Sequence, residues 1–90
     1  MKNELYAVVG TTTDGRNVIA GYEFDARTGE SIIFANYFVK GTEMTFINKA
    51  DAEYLLKDIN EKSLRYYCYE MNEDEIDFTS FKVRTLGFID

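Results

Sequence analysis

Five carboxylates fall within eight residues, Glu70-Met71-Asn72-Glu73-Asp74-Glu75-Ile76-Asp77, and no basic residue interrupts them. Carboxylates at this density can hold a cation, trade protons with a substrate, or pair with arginine and lysine on another molecule. The first needs oxygens at fixed places. An EF-hand loop has ligands at alternate positions, a central glycine and a closing glutamate. This run lacks the glycine, no helices are expected to flank it, and a built calcium site is not expected. Proton transfer needs a cleft, and a 90-residue chain has little material from which to build one. Pairing with bases needs only a rigid surface.

That surface has a definite geometry if residues 73–79 are extended. Glu73, Glu75 and Asp77 then project from one side, while Ile76 and Phe78 point to the other. Same-face carboxylates on a strand repeat about every 6.6 Å, close to twice the roughly 3.4 Å axial rise per phosphate of one DNA strand. Such a stripe suits a groove built for phosphates and would recruit its Arg and Lys side chains. The plainer reading is a solvated hairpin turn at Asn72-Glu73-Asp74, where like charges cost little in water.

Other chemistry lacks its residues. The chain has no histidine, tryptophan or proline and a single cysteine. Ser-His-Asp and Cys-His arrangements are excluded, as are zinc sites of the usual Cys/His type. Gly10 and Gly15 flank a turn and do not open a phosphate-binding helix. Cys68 lies in Tyr66-Tyr67-Cys68-Tyr69 with only Arg65 as a basic neighbour, and reads as a small buried hydrophobe. No catalytic residue, metal ligand or cofactor is expected, and the protein is not expected to be an enzyme.

Charge narrows the partners. The net charge is −6, from 16 acids and 10 bases. Residues 1–42 hold five acids and four bases, whereas residues 43–90 hold 11 and six. A surface of this sign repels phosphate backbones and anionic membranes. Direct nucleic-acid or membrane binding is not expected; a larger basic protein that handles nucleic acid is the expected partner. The candidate binding residues are Glu70, Glu73, Asp74, Glu75 and Asp77, joined by Tyr67 and Tyr69, since tyrosine is a favoured interface anchor. Lys82 and Arg84 are expected to pair with neighbouring acids.

These residues must be positioned by one domain of α+β class. The chain is 46% apolar, enough for a single modest core. Leu5–Val9, 17–24 and 31–39 read as strands, separated by turns at Asp14-Gly15 and Thr28-Gly29. Lys40-Gly41-Thr42-Glu43 reads as a further turn, and Met44–Ile47 as an optional short strand. Asn48 caps a helix whose stripe is Ala52, Leu55, Leu56 and Ile59. Leu64–Glu70 and Ile76 to about Leu86 are the last strands. In the latter, Ile76 and Phe78 conflict in parity with Phe81 and Val83. Either a bulge at Thr79-Ser80 restores one apolar face or both faces are buried. The expectation is an antiparallel sheet of five to six strands with one helix packed on it, in the order β-β-β-(β)-α-β-β.

No stretch approaches the roughly 20 apolar residues of a membrane span. Met1-Lys2-Asn3-Glu4 leads at once into a β-like run, unlike the apolar region of a signal peptide, so a cytoplasmic protein is expected. In size and composition the chain resembles small phage-encoded inhibitors of bacterial defence nucleases, including anti-CRISPR proteins. The resemblance implies a protein-binding inhibitor and transfers no site. Two other readings stand beside it: an assembly module that homodimerises or docks by an edge strand, and a small carboxylate-based enzyme.

Overall fold

Alternating apolar residues give the strands two usable faces, and the helix covers one of them. A computed structural model describes residues 3–38, 44–62 and 64–89. It contains strands β1 (Asn3–Thr12), β2 (Asn17–Asp25), β3 (Glu30–Tyr37), β4 (Tyr66–Cys68) and β5 (Ile76–Ile89). Helix α1 (Lys49–Glu61) lies between β3 and β4 in the chain. The strands form one sheet in the order β4-β3-β2-β1-β5. The α+β class and element order are as expected. The expected turn at 40–43 lies outside the described residues.

The sheet is mixed, not wholly antiparallel. β4 runs parallel to β3, with Ile33 beside Tyr66 and Ala35 beside Cys68. Short turns join β1 to β2 and β2 to β3, which pair antiparallel. The link from β3 to β4 contains a helix, and a helical crossover returns the chain in its original direction. The optional strand at Met44–Ile47 is reduced to one bridge, in which Tyr6 and Phe46 exchange two backbone hydrogen bonds of 2.8 Å. It fills the fork where β2 leaves β1 beyond the Val8–Ala20 pair. Gly21 makes room there, because a Cβ at that position would sit 2.6 Å from Met44 Sδ.

Helix α1 starts where the Asn48 side chain accepts the Ala50 N–H at 2.9 Å, satisfying one of the free donors of the first turn. It ends at Lys62, whose backbone is left-handed at φ 54°. Ala52, Leu55 and Ile59 are buried against Val8, Val18, Ala20, Ile33 and Ala35 of the sheet. Each buried Leu, Ile or Val contributes about 1.5–3 kcal/mol. On the other face a smaller group of Ala7, Val9 and Ile19 packs with Phe38, Met44 and Leu86.

The parity conflict in the last strand is resolved by a bulge. Val9 stands opposite Lys82 and Thr11 opposite Asp77, so Gly10 alone faces the four residues Phe78 to Phe81. The extra residues turn Ile76, Phe78, Phe81 and Val83 toward one cluster. Ser80 fixes the bulge: its hydroxyl accepts the Thr11 N–H at 2.8 Å and donates to the Asp77 carbonyl at 2.6 Å. Gly10 is required because a Cβ would lie 2.8 Å from Ser80 Oγ and 3.0 Å from the Phe81 ring.

Candidate functional site: an acidic pole

β4 and β5 are the two edges of the sheet, so the acidic segment between them must cross its whole end. Four inter-strand steps amount to about 19 Å. The crossing is pinned at several points. Met71 and Ile76 are buried in the helix-side core. The Tyr69 N–H donates to the Ala35 carbonyl at 2.9 Å, and the Thr13 N–H donates to the Glu75 carbonyl at 2.8 Å. The segment is therefore a strap and not the hairpin turn read at Asn72-Glu73-Asp74. Nor is it an extended stripe, because Glu73–Glu75 form a 3-10 turn and β5 begins only at Ile76. Burial of Met71 on one side and Ile76 on the other sets this course, and the regular carboxylate spacing is lost with it.

The five carboxylates divide into two sets. Glu75 turns back, its carboxylate accepting the Asn72 N–H at 2.8 Å. Asp77 opens the bulge, accepting the Thr79 N–H at 3.1 Å and the Thr79 hydroxyl at 2.6 Å. Glu70, Glu73 and Asp74 are exposed, and their side chains form no hydrogen bond or ion pair with a described residue. Glu70 has a left-handed backbone, φ 62°, which turns the chain out of β4.

Asp14 joins them from the β1–β2 turn, brought to the same end by the Thr13–Glu75 bond. The Thr12 hydroxyl donates to its carboxylate. That bond, followed by the nearby charge of Arg16, holds Asp14 below the usual carboxylate range. In the sequence Asp14 read only as half of an Asp-Gly turn, since nothing local signals its tether to a segment some 60 residues away. Residues 12–17 and 69–77 together carry six acids, and Arg16 is their single base. Arg16 is itself held, with its guanidinium 4.4 Å from the centre of the Tyr37 ring and Nε 3.3 Å from Asp14. Among the described residues no three carboxylate or thiol groups converge to hold a metal ion.

The tyrosines in and just after β4 alternate between the two faces of the sheet. Tyr66 faces the helix side, its ring 4.6 Å from Phe78 and its hydroxyl donating to the Ile59 carbonyl at 3.3 Å. Tyr67 and Tyr69 lie on the helix-free side, 52% and 48% exposed. The Tyr67 ring stacks on Phe34 at 5.8 Å and 18°, and the Tyr69 ring lies 6.3 Å from Phe34. Cys68 is half-buried, and burial, then the charge of Glu73, pushes its thiol up to about 11. A thiol raised in this way is mostly protonated near neutral pH. Lys82 and Arg84 stand opposite Val9 and Ala7, and neither forms an ion pair with a described residue, contrary to expectation. Arg27 and Arg65 instead gather at the other end of the sheet, on Asp25 and Glu30.

No protein-family model, curated protein or solved structure matches this chain. No helix among the described residues is long and apolar enough to cross a membrane.

Proposed function

We propose that this protein is a cytoplasmic inhibitor that binds the basic, nucleic-acid-handling surface of a larger protein and blocks it. The observation that supports this most is the acidic pole: six carboxylates against one arginine in residues 12–17 and 69–77, five of the six on a strap whose Met71 and Ile76 are buried in the core. A pinned strap loses little conformational freedom on binding. Its free carboxylates accept charge-assisted bonds from Arg and Lys, and the collected charge speeds the encounter. A partner groove so occupied cannot hold phosphates. The resemblance in size and composition to phage-encoded anti-defence proteins, anti-CRISPR proteins among them, points the same way.

Docking by an edge strand has less support from the geometry. The outer edge of β4 has three residues. β5 is interrupted by the bulge at Phe78–Phe81 and by a second at Leu86, leaving Lys82–Thr85 as its longest regular run. Bulges and charged side chains discourage strand addition.

Displacement tests the proposal. The immobilised protein should retain a partner from a lysate of its native host, and both duplex nucleic acid and rising salt should release it. A retained partner indifferent to both would refute the proposal.

A further inference from the structure

The helix-free face carries an uncovered aromatic ledge at the margin of the acidic pole. Phe34 and Tyr67 are register partners on neighbouring parallel strands, and Tyr69 lies just past the end of β4. Their rings form one continuous group with Phe34 at its centre. Tyr69 is bonded in sequence to Glu70, the first acid of the pole. Exposed π faces invite nucleobases, apolar surfaces or cations. The charge beside this ledge selects among them. Six acids at the adjoining end repel a phosphate backbone and an anionic lipid surface, and they attract cations.

Between the two cationic side chains, the ledge favours arginine. Guanidinium is planar and weakly hydrated, stacks on aromatic faces and presents a fork of donors to carboxylates, whereas lysine is a compact, strongly hydrated point charge. The protein already contains one such arrangement in Arg16, stacked on Tyr37 while its Nε meets Asp14. We infer that the Phe34–Tyr67–Tyr69 ledge takes arginine side chains of a basic protein segment, with the free carboxylates of the strap bonding the same segment. This rests on the inhibitor proposal and adds to it the anchor and the residue type it reads.

The experiment uses two peptides of nine residues, all arginine and all lysine, with binding to the full chain read by fluorescence anisotropy. The wild-type protein should prefer the arginine peptide by about five-fold, the scale of one or two exposed cation–π contacts. Tyr67→Ala with Tyr69→Ala should erase that preference and leave lysine-peptide affinity within about two-fold, because rim electrostatics is untouched. Tyr54→Ala, an exposed ring on α1, should change neither value. Glu70→Lys, Glu73→Lys and Asp74→Lys together should abolish binding of both peptides. Equal wild-type affinity for the two peptides, or a preference that survives the double tyrosine variant, overturns the ledge while leaving acidic docking intact. Failure of both peptides to bind, or binding that survives the triple reversal, overturns the inhibitor proposal as well. A thymidine oligonucleotide run in parallel should not bind; if it binds, the ledge stacks bases and the arginine assignment is wrong. Thermal melts of each variant establish that a loss reflects surface and not unfolding.

Discussion

Reversing the charge of the strap should give two unrelated outcomes, depending on which carboxylates are changed. Glu70, Glu73 and Asp74 are exposed, and their side chains bond no described residue. Surface changes of that kind move stability by no more than about 0.5 kcal/mol. Their conversion to lysine alters the charge of the pole from −5 to +1, since residues 12–17 and 69–77 carry six acids and one base. Each exposed ion pair contributes about 0.2–1 kcal/mol, and an equal repulsion replaces it, so three reversals should weaken partner binding by roughly 1–6 kcal/mol. Glu75 and Asp77 behave otherwise. Replacing both with lysine removes the acceptor of the Asn72 N–H and the acceptor of the Thr79 N–H and hydroxyl. At about 1 kcal/mol for each site the loss is about 2 kcal/mol. In a domain of this size that lowers Tm by roughly 8–16 °C. Melts followed by circular dichroism, beside partner capture on resin, measure both quantities. If the Glu70/Glu73/Asp74 set melts as low as the Glu75/Asp77 set, or if the latter melts like wild type, the division of the carboxylates is wrong.

Three other perturbations probe the frame that holds the pole. Gly10→Ala drives a methyl against Ser80 Oγ and the buried Phe81 ring, and Ser80 cannot swing aside without abandoning the Thr11 N–H; a loss of about 1–3 kcal/mol is expected in urea denaturation, and a neutral result would remove the bulge from its role. Lys62→Gly relieves a left-handed non-glycine residue at the end of α1 and should raise stability by about 1 kcal/mol, so a lower urea midpoint would contradict the cap. The Arg27 backbone N–H, then the charges of Arg27 and Arg65, hold Asp25 below the usual carboxylate range. Its native pKa lies under its unfolded one, so its contribution is complete above about pH 4 and fades as pH falls through the native value. Asp25→Asn should therefore flatten the acid limb of a Tm-against-pH profile, and an unchanged limb would refute the pairing.

Periodicity made much of this molecule readable. The stripe of Ala52, Leu55 and Ile59 has one physical solution, a helix docked by that face, and Asn48 marks its start. The parity conflict between Ile76/Phe78 and Phe81/Val83 demanded a bulge or a doubly buried strand, and Ser80 decides for the bulge. Alternation set Tyr67 and Tyr69 on the face opposite Tyr66 and required at least one of the three to be exposed; that both Tyr67 and Tyr69 are exposed depends on which face the helix covers. What could not be read was set by partners distant in the chain. The parallel pairing of β4 depends on where the crossover lands. The inward tasks of Glu75 and Asp77 depend on Asn72 and Thr79 meeting them in a turn that an extended reading never forms. Asp14 joins the pole only because Thr13 reaches the strap. Charge patterning has no period from which such meetings could be inferred.

The way charge is distributed over the sheet is itself an argument about use. At the Asp25–Glu30 end, acids are met by Arg27 and Arg65. At the strap end, Arg16 is the single base among the six acids of residues 12–17 and 69–77. Lys82 and Arg84 stand on β5 and form no ion pair with a described residue to balance it. Like charges crowded at one end repel one another, and only water and salt, over a screening length of about 8 Å, weaken that repulsion. A chain needing the strap merely to join β4 to β5 would be served by Met71 and Ile76 with neutral residues between them. Instead three of the four exposed positions from Glu70 to Ile76 are acidic, Asn72 being the fourth, and a buried methionine and isoleucine hold these like charges together. An opposing set of arginines and lysines would relieve their repulsion. Binding then gains from repulsion lost within the protein as well as from pairs formed with the partner, and the gain should shrink as added salt does part of the same work beforehand.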